Sequence, residues 1–278
     1  MSSKKELLVV GDSFCVDLQT LYLNLPETDD RYPFAFKVRT REGIKNIPID
    51  RSLKPFPIHP EIIAKELNLK LVNLSRNGAG NDYIFAHALD YLSKNKKKIE
   101  KVIIAWSGWY REDVEIDIWV NAINGFPQQT QPPEWSSLAD LYPHPNKINS
   151  INKFFRYVYL IQTVCERFDI DYRMMQTVGI GSISAPHMLN KDIDDSKKAK
   201  EILDHEYFDL INYHKFIGWP VIQNLGGFTM LNLIEPNEFP IHRPTDLYLN
   251  NGENVEHPDC HPNAEGQRLI AKYILDTL

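Results

Sequence analysis

The sequence predicts a three-layer α/β/α sandwich built on a central, mainly parallel sheet of about five strands. Three observations predict it. The short apolar runs Leu7-Leu8-Val9-Val10 and Val102-Ile103-Ile104-Ala105-Trp106 read as strands buried on both faces. Each run ends in a turn of small and polar residues, Gly11-Asp12-Ser13 in one case and Ser107-Gly108 in the other. Stretches with helical spacing alternate with the strands, which places helices on both faces of the sheet.

The elements follow in order. Leu7–Val10 is the first strand, and apolar residues Leu18, Leu21 and Leu25 continue at helical spacing after Ser13. Pro26–Pro60 is rich in proline and charge and reads as an insertion or long loop. Glu61–Leu67 reads as a helix and Leu71–Leu74 as the second strand. The turn Asn77-Gly78-Ala79-Gly80 follows, and Asn81 or Asp82 can cap a helix over Tyr83–Ser93. Val102–Trp106 is the third strand. Pro127–Asn149 carries Pro132, Pro133, Pro143 and Pro145 and reads as a second insertion. Ile151–Arg167 is an amphipathic helix, Asp171–Thr177 a fourth strand and Lys197–Leu210 a helix. Pro220–Asn251 is irregular, and Ala264–Leu275 is the terminal helix. Residues 1–278 read as one domain with insertions near 26–60, 127–149 and 220–251, with no internal repeat.

Composition narrows the function classes. The chain has 278 residues, enough to bury a sizeable core, with 43% apolar and 24% charged residues. A net charge of −6 argues against a nucleic-acid-binding face. The basic run Lys94-Asn95-Lys96-Lys97-Lys98 reads as a solvated helix end. Three cysteines, Cys15, Cys165 and Cys260, without a C-x-x-C pair, fit neither a disulfide scaffold nor a structural zinc site. Only a run of four apolar residues, Leu7–Val10, leads into Gly11, too short for a signal segment or a membrane span. The expectation is a soluble protein, cytoplasmic or particle-borne, that binds neither membrane nor nucleic acid.

The chemistry concentrates at strand ends, where open parallel sheets bind ligands. Ser13 lies at such an end and at a helix start, where free N–H groups favour developing negative charge. A serine hydroxyl needs a base within hydrogen-bond reach and a third group to orient that base. His257-Pro258-Asp259-Cys260-His261-Pro262-Asn263 offers both, Asp259 and His261 lying on one short stretch before the last helix. Each residue also has a plainer reading. Ser13 can serve as an N-cap, His261 as a helix-capping loop residue, and Gly78 and Gly80 as turn formers. Trp106, Trp109 and Tyr110 read as core and rim packing, or else as a platform for a sugar ring beside Ser107. Arg111 either fixes an anionic substrate or pairs with Glu112 or Asp113.

These blocks resemble the SGNH, or GDSL-type, hydrolases, a family of esterases, lipases and carbohydrate deacetylases. The likeness lies in Gly11-Asp12-Ser13, in Asn73-Leu74-Ser75-Arg76-Asn77-Gly78, and in Asp259-Cys260-His261-Pro262-Asn263 followed by Gly266. The blocks occur in the family's order and span nearly the whole chain. The resemblance implies a flavodoxin-like fold, Ser13 as nucleophile, His261 as base and Asp259 as its orienting partner. It also implies oxyanion donation from the backbone N–H groups of Ser13 and Gly78. No metal or organic cofactor is expected. The third block departs from the pattern. The family has Gly-x-Asn-Asp after the third strand, whereas this chain has Ser107-Gly108-Trp109-Tyr110-Arg111. Asn81, or else Ser107, is the candidate third donor. A small acyl group on a glycan is the preferred substrate. A lipase or general carboxylesterase, and a catalytically weak binding module of the same fold, are the alternatives.

Overall fold

The structure is a computed structural model. It describes residues 4–17, 37–40, 43–46, 56–109, 111, 113–115, 119–121, 147–178, 200–222, 225–234, 262 and 264–278. In chain order the strands are β1 (Glu6–Gly11), β2 (Lys37–Thr40), β3 (Gly43–Asn46), β4 (Lys70–Asn73), β5 (Ile99–Trp106), β6 (Asp113–Glu115), β7 (Trp119–Asn121), β8 (Asp171–Gln176) and β9 (Phe216–Ile217). The helices are α1 (His59–Glu66), α2 (Asn81–Asn95), α3 (Lys147–Arg167), α4 (Met230–Ile234) and α5 (Ala264–Thr277).

Five strands form one sheet in the order β4-β1-β5-β8-β9, every pair parallel. Renumbered within the sheet this is 2-1-3-4-5, the doubly wound order, whose switch point lies between β1 and β5. The sequence explains why β1 and β5 are central. Leu7, Leu8, Val9 and Val10 are all fully buried, as are Val102, Ile104, Ala105 and Trp106, because both faces of the sheet are covered. Alternate residues serve the two layers. Leu8, Val10, Val102 and Ile104 pack against Ile84, Ala88 and Leu92 of α2 and Phe154, Phe155 and Val158 of α3. Leu7, Val9, Ile103 and Ala105 pack against Ile63 of α1 and Ile270, Ala271 and Ile274 of α5. The i, i+4, i+8 stripe Ile84-Ala88-Leu92 is the buried face of α2.

Several expectations shift. Part of Pro26–Pro60 is an antiparallel hairpin, β2 with β3, and α1 begins inside that stretch at His59. The third helix begins at Lys147, four residues before its apolar stripe becomes visible at Ile151. Pro220–Asn251 contains the short helix α4. Phe216–Ile217 is the fifth strand of the sheet; two residues are too few to display an alternating pattern. Of the described residues within 197–210, 200–203 are α-helical and are followed by turns and a 3-10 turn at Phe208–Leu210. Among the described residues no helix is long and apolar enough to cross a membrane.

Candidate active site

Ser13 lies immediately beyond the carboxyl end of β1, beside the switch point. The chain needs glycine at position 11 to turn there. A Cβ on Gly11 would stand 2.7 Å from Ala105 Cβ and 2.9 Å from Cys15 Sγ. Asp12 is extended, and its Oδ1 accepts from the Phe14 N–H at 3.1 Å. Ser13–Cys15 then forms a single 3-10 turn. The helix expected to start at Ser13 is therefore one turn over the described residues, and positions 18–25 lie outside them. A dipole of that length is small, so stabilisation of negative charge falls to individual N–H groups. Among the described residues no side chain hydrogen-bonds the Ser13 hydroxyl.

Beneath Ser13, Asp12 joins three strand ends. Its Oδ2 accepts from Ser107 Oγ at 2.9 Å, beyond β5, and from Thr177 Oγ1 at 2.7 Å, beyond β8. The carboxylate is 1% exposed. Arg111 Nη1 stands 3.7 Å from the same oxygen. Ser107 is thus a fully buried brace for Asp12. Its backbone is gripped in turn by Asn81, whose Oδ1 accepts from Ser107 N at 2.9 Å and whose Nδ2 donates to Ser107 O at 3.3 Å. Of the Asn81 carboxamide's two N–H groups, one remains for another partner.

The turn after β4 supplies the facing wall. Arg76 N donates to Gly11 O at 3.1 Å, and Asn73 Nδ2 donates to Cys15 O at 2.7 Å. This wall is therefore bonded directly to the Ser13 turn. Gly78 adopts φ +75°, the left-handed region that favours glycine. Gly80 is glycine for a different reason. A Cβ there would meet Arg111 O and Asp113 Oδ2, both at 2.7 Å. Asp113 crosses the amino end of α2 and accepts from Tyr83 N at 3.1 Å, while Asp82 accepts from Asp113 N at 3.0 Å. Burial pushes the Asp113 carboxyl up to about 6; the Tyr83 N–H opposes this and the Asp82 charge adds to it.

A second buried cluster ties the last helix to the same turn. Gln267 of α5 donates to Phe14 O at 3.4 Å, and its Oε1 accepts from His59 N and Nδ1, each at 2.8 Å. With Nδ1 carrying the hydrogen, His59 Nε2 is left to accept from the Cys15 thiol at 3.5 Å. Burial holds the His59 imidazole down to about 4 against the opposing Gln267 bond. Burial, with the Asp12 charge, raises the Cys15 thiol well above its ordinary range. Cys15 and Cys165 are free and buried. Asp259, His261 and Cys260 lie outside the described residues. Pro262 and α5, which follow them, are described, and Pro262 is buried.

For its two described tryptophans, the aromatic cluster takes the packing reading. Trp106 is fully buried and directs Nε1 at Met174 Sδ, 3.5 Å away. Trp109 is 5% exposed, donates to Gln176 Oε1 at 2.9 Å and stacks on Phe154 with centroids 5.0 Å apart. Neither offers a face to a sugar ring. Tyr110 lies outside the described residues. A cavity of about 10 Å³ between Asn81, Trp109, Arg111, Ser150, Phe154 and Tyr157 has room for one water. Among the described residues no group of three His, Cys, Asp or Glu could hold a metal ion. Sequence reasoning missed Thr177, His59 and Gln267. Thr177 ends a strand at the same sheet edge and could have been flagged on that ground; His59 and Gln267 carried no local signal.

No protein-family model and no curated protein matches the chain. Among solved structures it is similar to a catalytic mutant of an acetylxylan esterase from Geobacillus stearothermophilus, at 10% identity and TM-score 0.43, covering 100% of this chain and 95% of that one. It is similar to TesA at 12% identity and TM-score 0.41, covering 99% and 98%. It is also similar to a carbohydrate esterase family 2 enzyme with a carbohydrate-binding domain from Corynascus thermopiles, at 12% identity and TM-score 0.39, covering 100% and 67%. At such identities and scores a likeness assigns no activity. The chemistry has to be carried by this chain's own residues.

Proposed function

We propose that the chain hydrolyses carboxylic esters through an acyl-enzyme on Ser13, with His261 as base and Asp259 orienting it. The observation that carries the reading is the placement of Ser13. Its hydroxyl stands at the switch point of a doubly wound parallel sheet, on a turn fixed from three sides by Asp12, Asn73 and Gln267. Nucleophiles require this kind of preorganisation, because a small displacement of the attacking atom costs rate. Chain connectivity supports His261 as the partner. It lies three residues before Ala264, the first residue of the helix whose Gln267 bonds Phe14 O.

In acylation, Ser13 Oγ bonds to the ester carbonyl carbon while its proton passes to His261 Nε2. The carbonyl electron pair moves to the oxygen, which the backbone N–H groups of Ser13 and Gly78 and the remaining N–H of Asn81 stabilise. The intermediate collapses, the alcohol leaves, and His261 returns the proton to it. Water then repeats the sequence on the acyl-enzyme, giving up a proton to His261. Expulsion of Ser13 Oγ releases the acid and restores the hydroxyl. The substrate we favour is a small acyl group, acetyl on a carbohydrate, as the resemblance of the three sequence blocks implies.

Hydrolysis of p-nitrophenyl esters of rising acyl length, by wild type and Ser13→Ala, tests this. The expected result is loss of at least about 10³-fold in the variant, with wild-type rates falling beyond two carbons. Rates that rise with chain length would favour a lipase. Equal activity in the two proteins would remove Ser13 from the chemistry altogether.

A further inference from the structure

Arg111 is an unusual residue for its position. Its side chain is 17% exposed, and among the described residues Nε and Nη1 have no hydrogen-bond partner, while a water-sized cavity lies against the side chain. What it does have is charge beside charge: Nη1 stands 3.7 Å from Asp12 Oδ2. Among the described residues no other cation forms an ion pair with that carboxylate. The other groups on it are a backbone N–H and two neutral hydroxyls.

Asp12 adjoins Ser13 in the chain. The same carboxylate that braces three strand ends therefore puts a negative charge close to where acylation creates another. In a buried setting such like charges interact strongly. Resting on the reading of Ser13 as nucleophile, we propose that Arg111 serves the reaction through Asp12. Its positive charge cancels that carboxylate, so the oxyanion forms beside a neutral pair instead of beside a lone anion. Arg111 is then a positioning residue of an electrostatic kind: it touches neither substrate nor reacting atoms. Its sequence position fits the role. It lies on the turn after β5, where the expected Gly-x-Asn-Asp block is absent. A chain with few direct oxyanion donors gains most from removing an opposing charge.

The test compares wild type, Ser13→Ala, Arg111→Met, Arg111→Lys and Asp12→Asn/Arg111→Met on p-nitrophenyl acetate, with melting temperatures recorded for each. Ser13→Ala checks the underlying reading alone. The expected result for Arg111→Met is a kcat lower by about tenfold or more, with KM within about twofold. That is smaller than the ~10²–10³ for loss of a direct oxyanion donor. Arg111→Lys, which keeps the charge but not the guanidinium geometry, recovers most of the rate. The double variant turns over faster than Arg111→Met, because neutralising Asp12 removes the need for its counter-charge. The inference is overturned, with the Ser13 reading intact, if Ser13→Ala is inactive while Arg111→Met keeps wild-type kcat. It is equally overturned if Lys rescues no better than Met, or if the kcat losses track the melting temperatures across the set.

Discussion

The two ends of the central sheet handle buried charge in opposite ways. At the amino end, Asp171 of β8 meets Lys101 at 2.6 Å, Lys215 at 2.7 Å and Arg173 at 2.9 Å. Burial pushes its carboxyl up, but the two lysine bonds and the Arg173 charge prevail and hold it well below the usual carboxylate range. Glu6 of β1, also at that end, is lowered in the same way by Tyr91 and Lys70 against burial. At the carboxyl end, neutral donors hold Asp12, and among the described residues Arg111 is the one cation beside it. There burial dominates and drives groups toward their neutral forms: His59 down, Asp113 and Cys15 up. The amino end is arranged as paired ions that contribute to stability. At the carboxyl end Asp12 is held mainly by neutral donors with Arg111 as its counter-charge, so the charge beside Ser13 is balanced rather than exposed.

This contrast can be broken by mutation. Asp12→Ala removes acceptors from Phe14 N, Ser107 and Thr177 and strands Arg111, so it should cost about 3–5 kcal/mol in urea unfolding. Asp171→Ala, 29% exposed in the side chain and beside part-buried Lys101 and Lys215, should cost less, about 2 kcal/mol, and leave kcat unchanged. Equal costs at the two sites would erase the distinction.

Stability against pH sharpens it. The folded state binds a proton on His59 less readily than the unfolded chain does. The His59 contribution is therefore full above about 6.5 and is lost as pH falls toward about 4, an effect of about 3 kcal/mol. Asp113 runs the other way. Its carboxyl is raised from 3.8 to about 6, so its contribution is full below 3.8 and lost as pH rises through 6. Asp113→Asn should accordingly gain on wild type by about 2 kcal/mol between pH 4 and pH 7. A constant difference across that range would show that Asp113 titrates normally.

Much of this arrangement was legible in the sequence where the signal is local. Leu7–Val10 and Val102–Trp106 declare buried strands by composition alone, and Gly11-Asp12-Ser13 declares the turn between strand and site. A sheet covered on both faces follows from those runs; the strand order does not, and it comes from the structure. The Asp12 brace was not legible, because it joins residues 95 and 165 positions apart, and neither Ser107 nor Thr177 carries a motif. Gln267 and His59 escaped for the same reason: their bond spans 208 positions. The tryptophans stayed open between packing and a sugar platform because an aromatic cluster at a strand end looks the same in sequence whether it lines a cleft or fills a core. Only their burial against Phe154 decides between the two.

The most direct measurement is labelling of the intact protein with a fluorophosphonate, read by mass spectrometry with peptide mapping. A single adduct on Ser13, absent from Ser13→Ala and much slower to form in His261→Ala, is the predicted result. An unlabelled wild-type protein, or an adduct on any other residue, would contradict the assignment of Ser13 as the nucleophile.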